Sequence, residues 1–130
     1  MNEITMEAVS SLYRASLFDG APSLSWLQLG WRGLRYYGRR AAKAMAAGDV
    51  ATKAQMITRA DELLTVMSGI LDTSQNAALG PALMTIYSAL RYSLFRATTE
   101  DSLEALRDYD VALSLLDRDL VKTADEAEVS

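Results

Sequence analysis

From Asp49 to Ala97 apolar residues recur three and four apart, and in both helices that this spacing predicts the apolar arc is wider than one core face requires. In the first helix Ile57, Ala60, Leu64, Met67 and Leu71 form one stripe, and Met56, Leu63 and Ile70 form a second, rotated toward a neighbouring face. In the next, Leu83, Ile86, Leu90, Leu94 and Ala97 share a face, with Met84, Tyr87 and Phe95 beside it. Surplus apolar surface has to be buried within the fold or against a partner. The rest of the chain is also helical in pattern, since no alternating strand period of useful length occurs.

Pro22 and Pro81, the only two prolines, both stand where a helix would begin. A first amphipathic segment, about Glu3 to Leu17, places Met6, Val9, Tyr13 and Leu17 on one side. The link Phe18-Asp19-Gly20-Ala21-Pro22 leads into a long helix to about Ala47 with Leu27, Trp31, Leu34, Tyr37, Ala41 and Met45 inward. Gly48 suits the left-handed residue after that helix and Asp49 the N-cap of the next. The third helix ends near Asp72, and residues 73–80 read as a polar loop or first turn. The fourth helix ends near Ala97, and Thr98 with Asp101 forms a capping-box pattern before a helix striped by Leu103, Leu106, Leu113, Leu116 and Leu120. Short links between long helices predict an all-α, antiparallel up-down-up-down four-helix bundle with an additional short N-terminal helix or lid. The boundaries are a lid segment at 1–22, a bundle at 23–121 and a flexible acidic tail at 122–130. Gly30 and Gly33 inside the first long helix predict close helix approach, with a partner's backbone as the alternative.

Charge is unevenly placed on a chain of net −4. Between Leu24 and Ala47, Arg32, Arg35, Arg39, Arg40 and Lys43 stand with no acid, whereas residues 100–130 carry a local −7. The basic stripe is read as a solvated face that attracts the acidic last helix; nucleic-acid binding is the sharper alternative. The chain has no cysteine and no histidine. Thiolate chemistry is thereby excluded, together with the commonest general base and transition-metal ligand. Asp61, Glu62 and Asp108 fall off the apolar stripes and Asp110 only approaches one, so neither an enzyme nor a metal or cofactor site is expected. Glu3 and Glu7 stand where a signal peptide needs basic residues, and no long apolar run follows, which points to a cytoplasmic protein.

With the helices placed, the chain resembles the FliS family of flagellar export chaperones. Tyr13 precedes Trp31-Arg32-Gly33 by the interval that separates the family's N-terminal tyrosine from its Tyr-Asp-Gly motif. The Gly48-Asp49 turn, Lys53, Ile57-Thr58-Arg59-Ala60 and Leu71-Asp72 follow in the family's order. Leu83-Met84-Thr85-Ile86-Tyr87 and Ser93-Leu94-Phe95-Arg96-Ala97 complete a gapless register from about Tyr13 to Leu120. Departures are Trp31-Arg32 for Tyr-Asp, Pro22 one place early, Tyr92-Ser93 for an Arg-Arg pair, Thr98 for the Asn after it, and the lack of the family's C-terminal Trp.

The resemblance implies a chaperone that holds the C-terminal segment of flagellin around the bundle, prevents its polymerisation and presents it to the flagellar export gate. Under that reading Met56, Leu63, Ile70, Met84, Tyr87 and Phe95 line a client groove, and Tyr13, Phe18 and Trp31 complete the partner-binding set. Methionine adapts to varied side chains, and tyrosine offers a ring with a polar tip. Ordinary core burial is the alternative for each groove residue. For the molecule the alternatives are a self-associating bundle, with the surplus stripes as a homodimer seam, or a chaperone for another flagellar subunit. The Tyr13 segment is either a displaceable lid or a permanent fifth helix.

Overall fold

A computed structural model describes residues 24–70 and 79–129. They form four α-helices and no strand: α1 (Leu24–Ala46), α2 (Val50–Ile70), α3 (Leu79–Thr99) and α4 (Leu103–Val129). Each helix packs on its neighbours in sequence, and α4 closes the ring against α1. The pairings run antiparallel. Gln28 reaches Asp117 while Arg35 reaches Asp110, and Gly30 lies against Met67 while Gly33 lies against Leu63. This is the up-down-up-down bundle expected from the short links.

The inward stripes supply the core. Leu27, Trp31, Leu34 and Ala41 of α1 meet Ile57, Ala60, Leu64 and Met67 of α2, with Leu83, Leu90 and Leu94 from α3 and Leu106, Leu113 and Leu116 from α4. Tyr37 and Met45 are only partly buried and pack against this cluster. Tyr109, which the leucine stripe of α4 passes over, is wholly buried and donates its hydroxyl proton to the Leu34 carbonyl at 2.8 Å. Gly38 makes this possible. A Cβ there would sit 2.6 Å from Cε1 of the Tyr109 ring, so α1 and α4 approach closely only because that position lacks a side chain.

The turns follow local chemistry. Gly48 takes φ +72°, and the Asp49 carboxylate accepts the Thr52 N–H at 3.1 Å, capping α2. The Thr98–Asp101 capping box is corrected: α3 runs on to Thr99, and Thr98 bonds back to the Leu94 carbonyl at 3.2 Å. Ser102 is the N-cap of α4, accepting the Ala105 N–H at 3.1 Å, and Asp101 turns the chain at φ +52° while its carboxylate pairs with Lys53. α4 continues through 122–129, where a tail is expected; Ala124, Glu126, Ala127 and Glu128 are good helix formers. The lid at 1–22 and nearly all of the 73–80 link lie outside the described residues. Among the described residues no helix is long and apolar enough to cross a membrane.

Candidate functional site

Of the residues expected to line a groove, Trp31 and Tyr87 lie deepest. They meet across the bundle interior, the indole N–H donating to the Tyr87 hydroxyl at 3.2 Å. Both belong to the central cluster. Burial pushes the Tyr87 phenol up to about 12, against the smaller opposing pull of the indole N–H. A side chain fixed in this way supports the core and presents no surface to a partner.

The remaining stripe residues do not converge on one seam. Leu63 is half-buried and leans toward α1, where a Cβ on Gly33 would meet its Cδ2 at 3.0 Å. Met56 is buried on the same flank, beneath a recess shared with Tyr36, Tyr37 and Arg59. Met84 is half-buried against the core of α3, and Phe95 is 60% exposed. One turn before Phe95, Arg91 donates to Asp61 Oδ1 at 2.8 Å and to Thr65 Oγ1 at 2.6 Å. A polar bridge therefore spans the α2–α3 seam where a continuous apolar groove is expected. The Ile70 side chain, Tyr13 and Phe18 lie outside the described residues.

Among the described residues, exposed apolar side chains instead flank the α1–α2 seam, with Val50 and Val111 exposed elsewhere. Leu29 is 70% exposed on α1 and Val66 is 55% exposed on α2. Gly33 stands one turn beyond Leu29, and Leu63, its partner across the seam, lies three residues before Val66. The antiparallel register thus brings Leu29 and Val66 to about the same level, with Leu63 packed over Gly33 between the helices. Tyr36 extends the row by a further turn and is also exposed. The sequence holds the signal, since Leu29, Gly33 and Tyr36 are spaced four and three apart. The stronger Leu27–Trp31–Leu34 stripe hides it. On α3, Tyr92 joins Phe95 as an exposed aromatic residue.

The expected meeting of basic stripe and acidic helix is present. Arg35 and Arg39 of α1 both pair with Asp110 of α4 at 3.3 Å, and Gln28 donates to Asp117 at 3.1 Å. Among the described residues no group of three or more acidic side chains is placed to hold a metal ion. Among the described residues the recesses are lined mainly by arginine, tyrosine and apolar side chains.

Compared with known families, the chain matches the one described as "Flagellar protein FliS" over residues 5–119. No curated protein and no solved structure matches it. The family match takes in most of the chain and all but the last turns of the bundle, so the chain belongs to the FliS family, whose members are flagellar export chaperones for flagellin and not enzymes.

Proposed function

We propose that this chain works in the cytoplasm as a chaperone that holds the C-terminal helical segment of flagellin, keeps the subunit from polymerising and delivers it to the flagellar export gate. The observation that carries this reading is the apolar row Leu29–Leu63–Val66 left open along the α1–α2 seam of a FliS-family bundle. Phe95 and Tyr92 on α3 give an extended client a second station, and Met84, more than two turns earlier on the same helix, is half-buried against the core. Trp31, Tyr87 and Met56 act from beneath, fixing the helices that carry the surface. Tyr13 and Phe18 complete the partner-binding set, as the family resemblance implies.

Energetics favour an extended contact. Each fully buried Leu or Val contributes roughly 1.5–3 kcal/mol, and ordering the client opposes it, so a single row cannot supply tight binding alone. Titration calorimetry with a C-terminal flagellin peptide tests the reading. One-to-one binding with a negative heat-capacity change is expected, the mark of apolar burial. Absence of binding at peptide concentrations on the order of 100 μM, with both partners folded or competent, overturns the client assignment. A homodimer through the same row is the competing reading. It requires a mass that rises with concentration in the absence of client and falls when the peptide is added.

A further inference from the structure

The family assignment leaves the basic outer face of α1 unexplained. Of its five cations, Arg35 and Arg39 are committed to Asp110. Among the described residues no carboxylate pairs with Arg32, Arg40 or Lys43. All three are exposed and, with Tyr36, line one shallow recess on the helix surface. Tyr36 is held in place: Arg40 Nη1 donates to its hydroxyl at 3.1 Å, the guanidinium carbon stands 5.7 Å from its ring centroid, and Tyr37 packs edge-on at 5.6 Å. Arg32, Tyr36 and Arg40 follow at intervals of four, with Lys43 one turn on, so the row spans about 17 Å of helix.

We propose that this row is a docking site for an acidic polypeptide segment of a partner protein, adjoining the apolar client row at Tyr36 but not resting on the client reading. Guanidinium groups grip carboxylates through paired N–H donors, and the fixed Tyr36 ring offers an apolar contact between the two arginines. Charge complementarity selects the occupant. The chain as a whole is net −4, and Asp108, Asp110 and Glu104 line the adjoining helix. A nucleic acid, which carries a charge every ~1.7 Å of duplex, would run off a row of three uncommitted cations onto those acids. A short peptide with three or four carboxylates matches the row in length and charge.

Fluorescence anisotropy of a labelled decaglutamate peptide with the full chain tests this. Wild type binds at low salt, and binding weakens steeply as ionic strength rises. The triple variant Arg32→Gln, Arg40→Gln, Lys43→Gln loses at least about tenfold in affinity, because it removes the facing cations. A control with the same net charge, Ala54→Glu, Ser88→Glu, Ala89→Glu, changes exposed positions on α2 and α3 and loses less than about twofold. All six positions are solvent-exposed, and an unchanged thermal melt certifies each variant as folded. The proposal is overturned by equal losses in both variants or by no binding of decaglutamate to wild type. Tighter binding of a deca-thymidine oligonucleotide or of phosphatidylserine vesicles than of the peptide also overturns it. So does salt-sensitive self-association that the triple variant abolishes, since the occupant would then be a second copy.

Discussion

At the level of single residues the bundle is most sensitive where a rigid ring meets backbone. The Tyr109 ring is fixed by its hydrogen bond to the Leu34 carbonyl and leaves no room for a methyl group at Gly38. Gly38→Ala should therefore destabilise the fold by about 1–3 kcal/mol despite alanine's better helix propensity. Gly30→Ala meets only the mobile thioether end of Met67 and should cost less. Urea denaturation of the two variants checks this order. Tyr87 yields a pH signature. Its folded-state pKa is raised from 10.0 to about 12 by burial, so its contribution is complete below pH 10 and is lost as pH rises toward 12. The loss is on the order of 2–3 kcal/mol, and burial raises the Tyr109 phenol in the same direction. Tyr87→Phe should flatten stability against pH over that window. At neutral pH it should cost about 1–3 kcal/mol, because the Trp31 N–H loses its acceptor. Stability curves of both proteins at neutral pH and across the alkaline range decide the matter.

At the level of helices, the caps separate two sequence patterns that look alike. Ser102→Ala should cost about 1 kcal/mol by freeing the Ala105 N–H, and Thr98→Ala should cost little, since its hydroxyl only bonds back within α3. Thermal melts of the pair measure the difference. A capping box is legible in sequence, but the point where the preceding helix stops is not; the turn falls at the left-handed Asp101, whose carboxylate pairs with Lys53 of α2. The same limit explains the groove. Periodicity shows that Met56 and Leu63 share a flank of α2, and that Met84 and Phe95 share a flank of α3. It does not show which neighbour each flank meets. The α2 flank meets α1 beside Gly33, while the α3 flank lies beyond the Arg91–Asp61 bridge, so residues that looked continuous are separated. Tyr87 looked like a groove candidate on its own helix, and Trp31, placed inward by its helix pattern, joined the partner-binding set through the family resemblance. Only the diagonal pairing across the ring shows that they complete each other in the core. The leucine stripes, the Gly48–Asp49 turn and the pairing of basic and acidic helices needed no such information, because each rests on local spacing or net charge.

Across the whole molecule, folding and client binding draw on different apolar residues, and this makes them separable. Every helix contacts two others in a closed ring, so a charge placed at its centre disrupts all four. Leu64 and Leu90 are nearly inaccessible, and Leu64→Asp or Leu90→Asp should abolish the cooperative melt. An unpaired buried charge costs about 3–5 kcal/mol or more, comparable with the total stability of a small domain. Tyr87→Asp, which the groove reading would expect to spare the fold, belongs with these two because its ring is in the same cluster. Leu29→Asp and Val66→Asp act on the open row. Both side chains are more than half exposed, so the melting temperature should stay within a few degrees of wild type. Affinity for the flagellin peptide should fall at least about tenfold in each, since a carboxylate would then have to be desolvated against the client. Calorimetric melts and peptide titrations on the same five samples separate the classes. Full binding by a folded Leu29→Asp, Val66→Asp double variant would move the client from the α1–α2 seam to the Tyr92–Phe95 face of α3. Loss of fold in that variant would show that the row belongs to the core after all.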